Sequence, residues 1–196
     1  PYTYDWSNSA TTASITGVTA TAYLVTISDA NGCSDTSSVL ISVVDTIKPT
    51  VLTQNVTVYL NGSGTASITT SDIDNGSSDN CGTPTLSLDV SSFSCSEVGA
   101  NTVYLIATDV NGNIDSAMAT VSVLDTIKPT VLTQNINVYL DATGNVSITT
   151  ADVDNGSADN CGTTTLSLDI SSFTCSEVGA NTVTLTATDA NNNAST

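Results

Sequence analysis

Apolar and polar residues alternate along this chain with the period of a β-strand, not the three-to-four spacing of a helix. Val103, Leu105 and Ala107 alternate with Thr102, Tyr104, Ile106 and Thr108, the pattern of a strand with one buried face. A second copy of the stretch keeps Val183, Leu185 and Ala187 but has Thr184 and Thr186 between them. The retained set therefore reads as core and the changed set as solvated. Ala119, Val121 and Val123 read as the inward set of the next strand, over 117–123, reached through the turn Asp109-Val110-Asn111-Gly112-Asn113. Upstream, 56–60 and 65–70 flank Asn61-Gly62-Ser63-Gly64, which predicts a hairpin. In the first 44 residues, Tyr2, Tyr4 and Trp6, then 14–16, 23–27 and 39–43, predict four short strands, with the turn Asp29-Ala30-Asn31-Gly32 before Cys33.

An internal repeat organises the rest. Asp45-Thr46-Ile47-Lys48-Pro49-Thr50-Val51-Leu52-Thr53-Gln54-Asn55 recurs letter for letter from Asp125 to Asn135. The register holds at an offset of about 80 residues, with roughly 50 of about 72 positions identical. That period is too long for a solenoid unit and suits one small β-sandwich. The expected organisation is a partial β-module over 1–44, whose first strands would lie upstream, then repeats over 45–124 and 125–196. The second repeat stops about where the first begins its last strand, so that strand is expected to be missing. The fold class is all-β, as tandem immunoglobulin-like sandwich modules arranged as a rod.

Composition narrows the function. There are 19 Asp+Glu against 2 Lys+Arg, no His, and a net charge of −17. A nucleic-acid binder needs clustered basic residues to neutralise phosphates, and an anionic membrane surface demands the same sign. The lack of His removes the commonest general base and metal ligand, so triads and zinc hydrolases are excluded. Carboxylates sit in Gly/Asn-rich loops with no sign of a pocket, which argues against an enzyme. With 11% charged residues and a mean hydropathy of +0.14, the chain is not of the disordered type. No run of about 18 apolar residues occurs, so no direct membrane insertion is expected.

Cys81 and Cys95, and again Cys161 and Cys175, form two copies of one closely spaced pair. The expectation is two intra-repeat disulfides, Cys81–Cys95 and Cys161–Cys175, each worth about 3 kcal/mol in the chain-entropy model. Free thiols are the alternative; a zinc site lacks both CxxC spacing and His. Cys33 is left unpaired. Oxidised pairs imply a compartment outside the cytoplasm.

The repeats carry −7 each and the first 44 residues −3. If the first strand runs down from Asp45, the 61–64 turn lies at its far end. The 72–80 loop and the turn after Asp109 then both return to the starting end. Carboxylates gathered there repel one another unless a cation is present, and oxygen-only ligands suit Ca²⁺. The candidate ligands are Asp45, Asp72, Asp74, Asp79 and Asp109, with equivalents Asp125, Asp152, Asp154, Asp159 and Asp189. The competing reading is solvated turns whose side chains cap their own backbone.

Residues 1–44, with Pro1-Tyr2-Thr3-Tyr4-Asp5-Trp6-Ser7-Asn8, Ala10-Thr11-Thr12, Ser14-Ile15 and Asp29-Ala30-Asn31-Gly32-Cys33, resemble a SprB-type repeat. Such modules occur in large surface proteins of gliding Bacteroidetes. Residues 45–196 resemble the hyalin-repeat-like, immunoglobulin-fold modules of the same proteins. The matching stretches are Asp45-Thr46-Ile47-Lys48-Pro49, Asp74-Asn75-Gly76-Ser77, Asp79-Asn80-Cys81-Gly82, Cys95-Ser96-Glu97-Val98-Gly99 and Thr108-Asp109 to Asn113. The resemblance implies export, by the type IX system, and a role in cell adhesion, gliding motility or an extracellular filament. Asp45-Thr46-Ile47, Asp115-Ser116-Ala117 and Asp125-Thr126-Ile127 resemble Bacteroidetes O-glycosylation acceptors, which makes Thr46, Ser116 and Thr126 candidate sites of a secreted glycoprotein. The expected partners are neighbouring modules of the same chain or identical chains. Surface polysaccharide is a further one, should Tyr2, Tyr4, Trp6 and Tyr23 form a stacking platform; core and edge packing is the other reading of those aromatics.

Overall fold

A computed structural model describes residues 1–196. The protein is mostly β-strand in several small sheets, with two one-turn helices. The chain divides into two compact units, Pro1–Ile47 and Lys48–Thr196, so both repeats, apart from residues 45–47, belong to one unit.

The first unit is a three-stranded antiparallel sheet in the order β1-β2-β3, from β1 (Thr3–Trp6), β2 (Ala22–Ser28) and β3 (Ser34–Leu40). Residues 14–16, expected as a strand, form none, and the last strand ends at Leu40, not 43. Tyr23 is buried and its hydroxyl accepts from Thr19 N at 3.0 Å. Trp6 is half-buried and its Nε1 donates to Thr12 O at 2.9 Å. Of the four aromatics considered for a stacking platform, Tyr2 alone is classed as exposed.

In the first repeat, β4 (Val56–Tyr59), β5 (Thr65–Ser67), α1 (Thr70–Ile73), β6 (Thr85–Leu88), β7 (Ser92–Ser94), β8 (Gly99–Thr108) and β9 (Ile114–Leu124) follow in order. They form a four-stranded sheet, β4-β9-β8-β6, and a two-stranded one, β5-β7. The expected hairpin is not a ladder. β4 pairs in parallel with β9, Val58 opposite Val123, while β5 pairs with β7, so the 61–64 turn passes the chain from one sheet to the other. Val103, Leu105, Ala107, Val121 and Val123 are fully buried and Ala119 nearly so, while Tyr104 and Met118 on the other face are exposed. The core cluster joins Val103, Leu105, Ala119, Val121 and Val123 to Ile68, Ile73 and Phe93, drawing on both sheets.

The second repeat gives β10 (Asn145–Ser147), α2 (Thr150–Val153), β11 (Thr165–Leu168), β12 (Ser172–Thr174), β13 (Leu185–Thr188) and β14 (Ala194–Ser195). Residues 136–139, matching β4, form no strand. The matching residues of the first repeat pair with the end of β9. A groove of about 790 Å³ runs beside residues 136–139, lined by Ile136, Val138, Val146, Phe173, Val183 and Leu185. No helix is long and apolar enough to cross a membrane.

Candidate metal centre at the junction between repeats

The turn after β13 is wired by one carboxylate. Asp189 Oδ1 accepts from Asn191 N at 2.8 Å and Asn193 N at 2.7 Å, and Oδ2 accepts from Asn193 Nδ2 at 2.7 Å. Asp109 makes the same three bonds to Asn111 and Asn113. Asp29 makes the two backbone bonds to Asn31 and Cys33. An Asp side chain closing its own turn is favoured chemistry. The fourth position takes positive φ in each copy, at Gly32 (84°), Gly112 (88°) and Asn192 (68°); Asn tolerates this region better than other side chains. Burial works against the charged form of Asp109, but the bonds from Asn113, Asn111 and Gly112 outweigh it and hold its pKa below the usual value.

Two further carboxylates reach Asp189. Asp125 follows β9 directly, and its Oδ1 accepts from Ile127 N at 3.1 Å. Asp159 sits in the loop after α2, and its Oδ2 accepts from Cys161 N at 2.8 Å. One oxygen from each of Asp125, Asp159 and Asp189 lies within 4.8 Å of the others. Asp125 and Asp189 are each 6% exposed, and Asp159 is half-buried. Asn193 Nδ2 also donates to the Asp125 carbonyl at 3.2 Å, tying the inter-repeat linker to the β13–β14 turn. The Asn160 amide points at Asp159, one of its atoms 3.2 Å from both carboxylate oxygens.

Two unit charges 4.8 Å apart repel by about 3.5 kcal/mol at an effective dielectric of 20. The second repeat supplies one basic residue, Lys128. Asp125 Oδ2 is buried with no hydrogen-bond partner, and an orphaned buried carboxylate oxygen costs stability.

Four of the other candidate ligands, Asp72, Asp74, Asp152 and Asp154, are used locally. Asp72 and Asp152 cap α1 and α2: each accepts at 2.7 Å from both the backbone N and the Oγ1 of the preceding threonine, Thr69 or Thr149. These threonine hydroxyls, then the backbone bonds, lower both pKa values. Asp74 and Asp154 accept from Ser77 and Ser157 N at 2.9 and 3.0 Å, with pKa values lowered by the same serines. Asp152 and Asp154 are not in the group of three. Asp79 holds Cys81 N as Asp159 holds Cys161 N. Asp45 lies in the first unit, where its Oδ1 accepts from Ile47 N.

The cysteines pair differently from the expectation. The disulfide joins Cys95 to Cys161, across 66 residues and a Cα–Cα distance of 5.3 Å, in place of Cys81–Cys95 and Cys161–Cys175. Within one repeat the two cysteines sit in different surroundings. Cys175 lies beside the 141–144 turn, its Sγ 3.8 Å from Gly144 O, while Cys161 follows Asp159 in the acidic group. Across the junction, Cys95 beside Gly64 meets Cys161, and both pack against the first repeat's core. Gly64 makes room for this contact. At φ 70°, a Cβ there would lie 2.5 Å from Cys95 Sγ and 2.9 Å from Asn160 O. Cys175 and Cys33 are exposed free thiols.

Sequence reasoning missed Gly64, although a signal existed. Asn61-Gly62-Ser63-Gly64-Thr65 becomes Asp141-Ala142-Thr143-Gly144-Asn145, so Gly64 is the one position kept. Thr46, Ser116 and Thr126 are exposed, as an acceptor hydroxyl must be. No protein-family model matches the chain, and no curated protein matches it.

Proposed function

We propose that the chain is a non-catalytic stalk segment of an extracellular surface adhesin or filament, built from tandem immunoglobulin-like modules in a rod. The observation that carries the reading is the covalent stitch between consecutive repeats, Cys95–Cys161. A bond within one module hardens that module; a bond between modules keeps them in register when the chain is pulled or partly unfolded. Such a bond persists in oxidising surroundings, which supports a location outside the cytoplasm. A strongly acidic surface with two basic residues keeps such segments soluble and apart from nucleic acid. The groove in the second repeat carries one carboxylate, Glu177. Its Oε2 is taken by Thr174 N and Oγ1 and its Oε1 by Ser176 Oγ, which supports the absence of acid–base chemistry there.

On this reading the segment belongs to a large surface protein of a gliding-type bacterium, exported by type IX secretion and glycosylated at Thr46, Ser116 and Thr126. Its contacts are neighbouring modules or identical chains. Negative-stain imaging with antibody-gold label on intact cells tests the proposal. Labelled stalks or filaments projecting from the surface are expected, with surface attachment lost on deletion. Label confined to the cytoplasm, with reduced Cys95 and Cys161, would refute it.

A further inference from the structure

We propose that Asp125, Asp159 and Asp189 bind one Ca²⁺ ion, and that the ion locks the loop carrying the inter-repeat disulfide. Oxygens bound to a single Ca²⁺ at about 2.4 Å lie no more than about 4.8 Å apart, and the three carboxylates meet that spacing. The buried, unpartnered Asp125 Oδ2 is the independent sign. This residue is 6% exposed, and one of its two oxygens lacks any donor. A cation supplies what no N–H does. The donor set is all oxygen, with no sulfur or imidazole ligand in the group, which favours a hard cation. Three protein carboxylates suit the flexible coordination of Ca²⁺ better than Mg²⁺, which keeps its waters and demands a near-ideal octahedron.

The ion connects three separate parts of the chain. Asp125 is in the linker, Asp189 in the β13–β14 turn, and Asp159 two residues before Cys161. Cys161 N donates to Asp159 Oδ2, and residues 159 and 162 face each other as an isolated bridge. The carboxylate and the disulfide therefore share one tight turn. Any opening that admits a reductant to Cys161 has to move Asp159, and so gives up the ion. This inference stands on the junction's geometry and not on the stalk reading.

The test uses the full oxidised chain. Native mass spectrometry counts bound ions after chelation and return of Ca²⁺. The half-time of Cys95–Cys161 cleavage by dithiothreitol is then followed with Ca²⁺, with Mg²⁺ and with chelator. Asp125→Asn is expected to bind one Ca²⁺ fewer than the wild type, while Asp152→Asn, outside the group, binds the same number. If reduction requires ion release, Ca²⁺ at about a hundred times its Kd slows cleavage by up to about 100-fold in the wild type. It leaves Asp125→Asn unchanged. Equal ion counts in wild type and Asp125→Asn would overturn the site. Unchanged cleavage of the wild type in Ca²⁺ would overturn the lock, and equal protection by Mg²⁺ would overturn the choice of ion. The ion count and cleavage rate of the wild type stand without any variant, so misfolding of Asp125→Asn does not spare the proposal.

Discussion

Replacing Cys95 by serine separates the inter-repeat stitch from every alternative pairing. The bond closes a loop of 66 residues, for which the chain-entropy relation gives about 4.3 kcal/mol at 25 °C. A bond within a repeat would close a much shorter loop, worth about 3 kcal/mol. The loop runs from the end of β7 in the first repeat to beyond α2 in the second. Its constraint is felt in full only when both repeats are unfolded, so it also couples their unfolding. Urea denaturation under non-reducing conditions measures the loss, followed by far-ultraviolet circular dichroism and tyrosine fluorescence. Trp6 belongs to the other unit. Cys95→Ser is expected to lower stability by about 4 kcal/mol, or roughly 8–16 °C in Tm for a unit of this size. Cys175→Ser, at an exposed free thiol, is expected to change it by less than about 0.5 kcal/mol. Pairing within repeats makes the two substitutions equivalent. Equal losses, or a Cys95→Ser loss near zero, would refute the reasoning.

Three further outcomes follow from the packing and the hydrogen bonds. Gly64→Ala places a Cβ against Cys95 Sγ at positive φ; it should cost at least about 1 kcal/mol and slow formation of the Cys95–Cys161 bond in oxidative refolding. Gly62→Ala, which meets nothing within 4 Å, should do neither. Leu105→Ala, at a fully buried site, should cost about 2–5 kcal/mol in urea titrations, against less than about 1 for the exposed Tyr104→Ala. Glu177 is held at about 2 by the hydroxyls of Ser176 and Thr174 and by the Thr174 N–H. A lowered folded pKa adds stability above the unfolded value of 4.5 and loses it as pH falls towards 2. Thermal melts should thus fall progressively over that window, and less steeply in Glu177→Gln.

The strand β8 was legible because its second copy changes on the outward face alone. Tyr104 becomes Thr184 and Ile106 becomes Thr186, while the fully buried Val103, Leu105 and Ala107 stay the same. That Asp125, Asp159 and Asp189 share one end was readable from strand direction. That Asp152 and Asp154 do not join them was not, because a one-turn helix capped by Thr149 interrupts the presumed loop and uses both side chains locally. The hairpin at 61–64 failed for a related reason. A tight turn signals a reversal of the chain but not whether the two strands stay in one sheet. The cysteine pairing was hidden by the repeat itself. In a periodic chain each cysteine has one candidate partner in its own copy and another in the next, and spacing alone favours the shorter loop.

Pulling the full chain in a single-molecule force experiment, oxidised and then reduced, tests the central claim most directly. A residue contributes about 3.6 Å of extended length. With Cys95–Cys161 intact, 66 residues stay hidden from the force, and reduction should lengthen the fully unfolded unit by about 240 Å. A gain of only about 50 Å per bond, the signature of a fourteen-residue loop, or no gain at all, would contradict the stitched junction.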